Sequence, residues 1–508
     1  MKKRILMGSA MLAAMPSLYA QTTQHPNIIF ILADDLGYGD IASLNKQGKV
    51  PTPNIDRFSE ESVVFTDAHS SSAVSTPSRY GILTGRYNWR SRLKRGVMSF
   101  YDNPLMDPLR TTMASMLRTQ GYRTACIGKW HLGMKFATTD GQKPVDNKDK
   151  CNVDFHKEFR GGPRDVGFDY FFGVDCPNYP PYCFLENRKT VGIPTQFYPT
   201  RHGIIDSRGG RGIDNWDQTD VLPAIIDKAA SYIDQAAKQN EPFFLYLPLT
   251  SPHTPIVPTK DFLGKTQLNE YTDFVMQTDA GIGKVLEALK RNGLDENTLV
   301  VFTADNGCSP VADFPFLTEK GHDPSYIFRG MKSDLYEGGH HIACMVRWPE
   351  QFAPHKVRQT ICSVDFMATF ASLTGYRLAD NEAEDSYNIW SLLKNESEPA
   401  PIREATVHHS IKGEFAIRQG DWKLLLANYS GGWSQPSKRN PEEPPYQLFN
   451  LKEDPEETKD LSKQYPEKVQ QLRQLLIKYV KEGRSTPGIP QQNDPVKEWP
   501  QLKPWMEE

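Results

Sequence analysis

The sequence predicts an α/β protein with a large, mostly parallel mixed sheet sandwiched by helices, followed by a smaller α+β domain with an antiparallel sheet. Three observations support this fold class. Apolar runs typical of buried strands recur between residues 27 and 348, amphipathic segments of helical period separate them, and the composition changes near residue 395. Strands that alternate with helices are typical of a mostly parallel sheet.

Four apolar runs predict central strands, and each ends at or just before polar residues. The runs and the polar residues after them are 27–33 with Asp34 and Asp35, 122–128 with Lys129 and His131, 242–249 with His253, and 299–304 with Asp305 and Asn306. Continuous apolar runs suit parallel strands because these are buried on both faces. Ligands bind at the carboxyl ends of such strands, so we expect these side chains to share one site. The alternative is that they are ordinary loop starts.

Amphipathic segments fill the intervals between the runs. Helices are predicted at residues 111–120, 220–238 and 269–291, the last with its apolar residues on one stripe. A further strand is predicted at 342–348. The alternation therefore continues over most of the chain.

The C-terminal part has a different character. After a polar, proline-bearing stretch at 395–401, the sequence predicts a hairpin at 414–425, a strand at 446–451 and an amphipathic helix at 466–482. These elements indicate a small α+β unit. The predicted division of the chain is a signal peptide at 1–20, a large domain at 21–395 and a C-terminal α+β subdomain at 396–508.

The composition excludes several classes of protein. The 508 residues are 38% hydrophobic and 24% charged, which is typical of a globular chain and not of a disordered, collagen-like or multispan membrane protein. The formal net charge of −3 lacks the basic excess of nucleic-acid-binding proteins, so no nucleic-acid partner is expected. The seven cysteines are too few for a disulfide scaffold.

The first twenty residues are typical of a secretory signal peptide. Lys2, Lys3 and Arg4 precede an apolar stretch at 5–15, and the small residue Ala20 marks the expected cleavage site. The apolar stretch is too short to span a bilayer, so no transmembrane segment is expected; a short membrane anchor is the alternative. The protein is therefore expected to be periplasmic or secreted. In such a compartment a pair such as Cys176 and Cys183 could be bridged, which the sequence leaves open.

Two of the predicted strand ends carry hard oxygen donors. Asp34 and Asp35 follow one run, and Asp305 and Asn306 follow another. Adjacent carboxylates repel one another unless a cation lies between them. Oxygen donors alone select Ca²⁺ or Mg²⁺ over zinc. The pattern predicts a metal site, with a surface carboxylate pair as the alternative.

The most specific local motif is Ser75-Thr76-Pro77-Ser78-Arg79, which by itself predicts only a loop that opens a helix. Together with further motifs in a fixed order, it makes the chain similar to type I sulfatases of the alkaline phosphatase superfamily over roughly residues 26–480. The other segments that carry the resemblance are 26–37, 52–56, 84–86, 128–131, 167–169, 251–253, 304–307, Lys332 and 337–339.

The resemblance implies an alkaline-phosphatase-like fold, a catalytic domain at 21–395 and hydrolysis of sulfate esters. It also implies that Ser75 is oxidised to formylglycine by a radical-SAM sulfatase-maturing enzyme. An ordinary serine would form a stable sulfate ester. A hydrated aldehyde attacks sulfur with one hydroxyl, and its second hydroxyl then expels sulfate as the carbonyl re-forms. The implied metal is one Ca²⁺, with Mg²⁺ possible, and its implied ligands are Asp34, Asp35, Ser75, Asp305 and Asn306.

The resemblance further implies a catalytic set in which charge decides most of the roles. Cations would offset the negative charge of the transition state, one histidine would orient the diol and take its proton, and a second would protonate the departing alcohol, alone or with a lysine. The implied nucleophile is Ser75, and the implied cations are Arg79, Lys129 and Lys332. His131 would be the histidine that orients the diol, and His253 the one that protonates the alcohol. One departure from the family is His341, where many relatives have arginine.

The substrate is expected to be a sulfated mono- or oligosaccharide. Segment 251–264 is similar to galactosamine-6-sulfatases, and segment 179–195 resembles bacterial sulfatases that act on galacto-configured sugars. These resemblances predict exo-acting removal of 6-O-sulfate from N-acetylgalactosamine or galactose in chondroitin-type or mucin-type glycan breakdown. Lys260, Arg164 and Asp165 are candidate substrate contacts; a solvated lysine and a surface ion pair are the alternatives.

Three other functions remain open at this point. The first is a sulfatase of another regiospecificity, acting on a 4-O-, 3-O- or glucosamine-6-O-sulfate. The second is a phosphatase or phosphodiesterase of the same superfamily, which would use an unmodified hydroxyl and two zinc ions. The third is a non-catalytic binder of sulfated glycans.

Overall fold

The structure is a computed structural model that describes residues 25–397, 400–494 and 499–506. The signal peptide predicted at residues 1–20 lies outside this part of the chain. Within the described part, none of the helices combines the length and the apolar character needed to cross a bilayer.

Strands and helices alternate along the described chain. The strands are β1 (Asn27–Asp34), β2 (Val63–His69), β3 (Arg123–Lys129), β4 (Tyr170–Val174), β5 (Leu185–Glu186), β6 (Lys189–Thr190), β7 (Gln196–Tyr198), β8 (Gly210–Gly212), β9 (Phe243–Pro252), β10 (Thr298–Ala304), β11 (His341–Arg347), β12 (His355–Val357), β13 (Ile361–Cys362), β14 (Thr406–His409), β15 (Phe415–Gln419), β16 (Trp422–Leu425) and β17 (Gln447–Asn450). The helices are α1 (Pro53–Glu60), α2 (Ser75–Thr84), α3 (Met113–Thr119), α4 (Val221–Ala236), α5 (Glu270–Arg291), α6 (Phe314–Glu319), α7 (Glu337–His340), α8 (Phe366–Thr374), α9 (Trp390–Leu393), α10 (Pro466–Glu482) and α11 (Lys503–Met506).

The large sheet has eleven strands within the described residues. Ten follow the order β12-β2-β11-β10-β1-β9-β3-β4-β5-β6, and β13 pairs with β2. The five adjacent strands from β10 to β4 are parallel to one another. Antiparallel pairing begins on either side of them, at β11 and at β5. The mixed, mostly parallel sheet predicted from the sequence is therefore confirmed.

Helices cover both faces of the large sheet. α5 contacts both α1 and α4, and α2, α3 and α8 contact one another. The ring of Phe30 in β1 lies edge-on to that of Phe366 in α8, with ring centroids 5.3 Å apart. Residues 28–33 of β1 are fully buried. This burial is what a continuous apolar run predicts for a strand covered on both faces.

The small sheet is antiparallel, in the order β14-β15-β16-β17. Its core is formed with α10, whose Leu472 and Leu476 are buried in one cluster with Ile417 and Leu424 of the sheet. The predicted hairpin, strand and helix all lie here, so the expected small α+β unit is confirmed. The exact division at residues 395 and 396 stays a prediction.

Buried ion pairs join the small sheet to the large one. Lys423 of β16 has its Nζ 2.9 Å from Oε1 of Glu337, at the start of α7, and 2.8 Å from Oε1 of Glu457. These three side chains are almost fully buried. Arg418 of β15 pairs with Asp67 of β2 at 2.7 Å. The two sheets are thus connected by buried and partly buried ion pairs, which dissolved salt screens much less than it screens exposed pairs.

His341, noted above as a departure from the expected motif, is the first residue of β11. Its Nδ1 lies 2.9 Å from Oε2 of Glu337, and its Nε2 lies 3.1 Å from the carbonyl oxygen of Thr66. Its ring stacks on Phe328 with centroids 3.9 Å apart. The imidazole therefore makes both polar and packing contacts at this position.

Replacing Lys423 by methionine should destabilise the protein, because Glu337 and Glu457 would keep their burial and lose their shared cation. We expect the free energy of unfolding to fall by about 3–5 kcal/mol, the usual effect of breaking a buried pair. Denaturant unfolding of Lys423→Met measures this. The matched control is Lys463→Met, which removes the exposed pair with Glu443 and should leave the midpoint unchanged. Equal midpoints for both variants would contradict the structural role of Lys423.

Candidate active site

The strand-end residues predicted to share a site do come together. The shared region is formed by the carboxyl ends of β1, β3, β9 and β10, the first turn of α2 and the loop before α7. The residues gathered there are Asp34, Asp35, Ser75, Arg79, Lys129, His131, His253, Asp305, Asn306 and Lys332, all buried or nearly so. Parallel strands produce this arrangement because their carboxyl ends meet at one edge of the sheet.

Helix α2 and the end of β1 bring the predicted nucleophile to the carboxylates. Ser75 is the first residue of α2, and its Oγ lies 3.3 Å from Oδ1 of Asp34. Arg79 follows one helical turn later and therefore lies on the same side of α2. At Asp35 the backbone adopts a left-handed conformation with φ of 63°. This conformation interrupts the strand's alternation of side chains, so consecutive carboxylates both reach the site.

Each carboxylate in the site has its own cation. The Nζ atoms of Lys129 and Lys332 lie 2.7 Å and 2.6 Å from Oδ2 of Asp34 and Asp35, respectively. The guanidinium of Arg79 donates to Oδ2 of Asp305 at 2.8 Å. Isolated buried charges are strongly unfavourable, and pairing offsets much of that penalty.

The electrostatic balance keeps the two adjacent carboxylates ionised. Burial favours the protonated form of Asp34, but attraction from Lys129, His253 and Arg79 outweighs it and lowers the pKa of Asp34. The pKa of Asp35 is lowered in the same way: burial opposes ionisation, and Lys332 and His253 favour it. Both residues are therefore anionic at neutral pH and available to a cation.

The donor set fits a metal ion. Ligand atoms of Asp34, Asp35 and His253 lie within 4.8 Å of one another. Asn306 donates through Nδ2 to Asp35 at 2.8 Å, while its Oδ1 is buried and accepts no hydrogen bond among the described residues. A buried oxygen without a donor beside two carboxylates is the environment that a hard divalent cation satisfies. His253, expected from the sequence to protonate the departing alcohol, is thus placed among the candidate metal ligands as well.

His131 presents a free ring nitrogen to the site. Its Nε2 lies 3.0 Å from the carbonyl oxygen of Met98, so Nε2 carries the proton and donates. Its Nδ1 is buried and has no hydrogen-bond partner within the described chain. Burial, with repulsion from Lys129 and Arg79, holds the pKa of His131 well below its usual value. The imidazole is therefore neutral, with a lone pair on Nδ1.

His253 is fixed by its own neighbour. Its Nδ1 lies 2.6 Å from the carbonyl oxygen of Thr254, and its Nε2 lies 3.8 Å from Oδ2 of Asp35. Nδ1 therefore carries the proton, and Nε2 is directed at the carboxylate pair. Burial and the positive charges of Lys129 and Lys332 lower the pKa of His253.

Asp175 is a residue of the site that the sequence interpretation missed. It directly follows β4, and its Oδ1 accepts a hydrogen bond of 3.1 Å from the backbone N–H of His131. That contact holds His131 in a left-handed conformation with φ of 55°. The position of Asp175 after a buried strand is the same signal that identified the other strand-end residues.

The three predicted sugar contacts do not touch this cluster. Arg164 donates to Asn187 at 3.0 Å, and Asp165 accepts from Arg188 at 2.5 Å. Lys260 is exposed. Sugar binding by these residues stays a prediction. The seven cysteines, all within the described ranges, are free, so Cys176 and Cys183 are not bridged.

Comparison with known proteins agrees with this geometry. The profile of the family described as Sulfatase matches residues 26–376. The chain belongs to the sulfatase family. It is 33% identical to an N-acetylgalactosamine-6-O-sulfatase of Bacteroides thetaiotaomicron, with 90% of this chain and 93% of the relative covered. It is 26% identical to the N-acetylgalactosamine-6-sulfatase of Mus musculus, with 84% and 76% covered.

A solved structure extends this similarity to three dimensions. A Bacteroides thetaiotaomicron protein from a study of the metabolism of multiple glycosaminoglycans superposes with a TM-score of 0.77 at 32% identity, covering 89% of this chain and 99% of that one. The sulfatase fold expected from the motifs is confirmed. Family membership also confirms the expected activity, which is hydrolysis of a sulfuric ester.

Asp175 should make stability depend on pH. Burial raises the pKa of Asp175 to about 7, against the opposing hydrogen bond from His131. An aspartate in the unfolded chain has a pKa of about 3.9, so the folded state holds this proton more tightly. The resulting stabilisation is complete below about pH 4, declines as the pH rises, and is lost by about pH 7. Asp175→Asn cannot ionise, so its Tm should fall less than that of the wild type between about pH 4 and about pH 7. The exposed control Asp149→Asn should behave as the wild type, and equal losses in all three proteins would refute the assignment.

Proposed function

We propose that this sulfatase removes 6-O-sulfate from N-acetylgalactosamine or galactose at the end of sulfated glycans, of chondroitin or mucin type. The observation that carries the proposal is the charge of the site: Lys129 and Lys332 flank the carboxylate pair at 2.7 Å and 2.6 Å. Lysines in these positions leave room for one metal ion and favour a monoanionic ester. A phosphatase of the same superfamily would need a second set of metal ligands there.

The choice of sugar rests on relatives. Two of the similar proteins are N-acetylgalactosamine-6-sulfatases, one bacterial and one from mouse. The bacterial relative is covered over 93% of its length, and this chain over 90% of its own. We propose that the substrate class is shared and that the protein acts after export, in the periplasm or outside the cell.

Ser75 is the proposed nucleophile after conversion to formylglycine by a radical-SAM maturing enzyme. The hydrate of this aldehyde supplies two hydroxyls, one to attack sulfur and one to release sulfate as the carbonyl re-forms. Ser75 lies at the start of the ten-residue helix α2. The positive end of the helix dipole supports negative charge at this position.

The cations and histidines have distinct proposed tasks. Arg79, Lys129 and Lys332 offset charge on the sulfate oxygens as the ester bond breaks. The free Nδ1 of His131 takes the proton that the second hydroxyl loses. His253, once a second proton occupies its Nε2, acts alone or with Lys332 to protonate the departing sugar oxygen, which is otherwise a poor leaving group. The proton that the attacking hydroxyl loses balances the one given to the sugar oxygen. Overall, one water and one sulfate ester give the alcohol and inorganic sulfate.

One Ca²⁺ or Mg²⁺ is the proposed metal. Asp34, Asp35, Asp305, Asn306 and the modified Ser75 would hold it, and when bound it supplies positive charge to the sulfate group. The unpartnered Oδ1 of Asn306 supports this oxygen-rich assignment.

A panel of monosulfated sugars tests the proposed function. Protein from a host with the maturing enzyme should release sulfate from 6-O-sulfated N-acetylgalactosamine or galactose in preference to 4-O-, 3-O- and glucosamine-6-O-sulfates. Mass spectrometry of the same sample should show that the tryptic peptide ending at Arg79 has lost two hydrogen atoms. The control Ser75→Ala should keep the fold and release no sulfate. Preference for another ester position would overturn the regiochemistry, and activity of Ser75→Ala would overturn the nucleophile.

A further inference from the structure

Three separate segments meet beside the catalytic set. Residues 94–98, 410–413 and 431–438 are here called the rim. The backbone of Ser333, next to the catalytic Lys332, connects them to the nucleophile: its N–H donates to the carbonyl of Ala73 at 2.7 Å, and its carbonyl accepts from Ile411 at 3.1 Å. Gly96 donates to Ile411 at 2.8 Å. The rim is therefore linked, through Ser333, to the residues that lead into α2.

The first rim segment also touches the catalytic set. The N–H of Met98 donates to Oγ1 of Thr76 at 3.1 Å, and the carbonyl of Met98 accepts from His131. Thr76 follows Ser75 in the motif. The backbone of this segment is thus held directly against Thr76 and the catalytic His131.

Trp433 is an exposed aromatic residue on a fixed backbone. Trp433 is 45% exposed to solvent. Its N–H lies 2.8 Å from Oδ1 of Asp334 and 3.0 Å from Oγ of Ser333. A Cβ atom on the preceding Gly432 would lie only 2.4 Å from those same two oxygens. The loop can approach Ser333 and Asp334 this closely only because residue 432 is glycine. This close contact fixes the backbone position of Trp433.

The rim is basic. Its residues include Lys94, Arg95, Lys412 and Lys438 and no carboxylate. Arg95, Lys412 and Lys438 are exposed, and none forms an ion pair with a carboxylate in the part of the chain described. Lys412 donates to the carbonyl of Ser437 at 2.8 Å, which holds two rim segments together. The rim thus offers positive charge that the protein itself does not neutralise.

An exposed indole beside unpaired cations suits one class of ligand. The apolar C–H face of a pyranose stacks on an aromatic ring, and its carboxylate or sulfate group is attracted by lysine and arginine. Glycosaminoglycan chains combine both features in a single repeating unit. A neutral sugar would interact only with the indole ring, and an apolar partner would not be attracted by the positive charges.

We propose that the rim is a subsite for the anionic sugar joined to the residue that loses its sulfate, with Trp433 as the stacking platform and Arg95, Lys412 and Lys438 as the attracting charges. This inference rests on the proposed function and adds to it that the physiological substrate is an oligosaccharide. The reaction at sulfur is unchanged. The subsite increases the affinity for a longer substrate.

The test compares two substrates that differ by one sugar. The first is 6-O-sulfated N-acetylgalactosamine, and the second is the same residue linked at its reducing side to glucuronate. We expect Trp433→Ala to lower kcat/KM about fivefold on the disaccharide, a typical value for one aromatic contact, with no change on the monosaccharide. Trp433→Phe should recover most of the loss. Leu109→Ala, at a residue 91% exposed elsewhere, is the matched control.

The outcomes separate the two proposals. Equal effects of Trp433→Ala on both substrates, or no effect on either, would overturn the subsite and leave the proposed function intact. Absence of sulfate release from both substrates by the matured wild type would overturn the proposed function and the subsite with it. The disaccharide's advantage should also shrink in Lys412→Ala and at high salt, because exposed charges are screened.

Discussion

Burial of carboxylates at one edge of the large sheet is the constraint on which the rest of the site depends. Asp34 and Asp305 are fully buried, and each is in contact with an equally buried cation. Four structural elements must therefore meet with little freedom: the ends of β1, β3 and β10 and the first turns of α2. Loss of any one partner would leave a charge without compensation in the protein interior.

This constraint also explains how the C-terminal part contributes to the site. The loop that carries Lys332 continues through Ser333 and Asp334, both of which hold the backbone of Trp433. The same chain then enters α7, where Glu337 receives Lys423 from the small sheet. The small sheet thus supports the catalytic edge and supplies part of its surroundings.

Much of this could be predicted from sequence because the signals are local. Continuous apolar runs predicted β1, β3, β9 and β10. The helical spacing of apolar residues predicted α10 at residues 466–482, the bounds found in the structure. The polar residues after those runs identified the site. Strand β2 was missed because only long-range pairing with β11 and β12 defines it. The contact between Trp433 and Ser333 spans one hundred residues and leaves no local pattern.

The proposed chemistry requires a single hard cation bound by the strand-end oxygens, so metal content tests it most directly. Elemental analysis of the matured protein should find one Ca²⁺ or Mg²⁺ per chain. Asp35→Asn should lose that ion, whereas Asp234→Asn, which alters an exposed carboxylate paired with Arg291, should retain it. Two zinc ions per chain, or none of any divalent metal, would contradict the account.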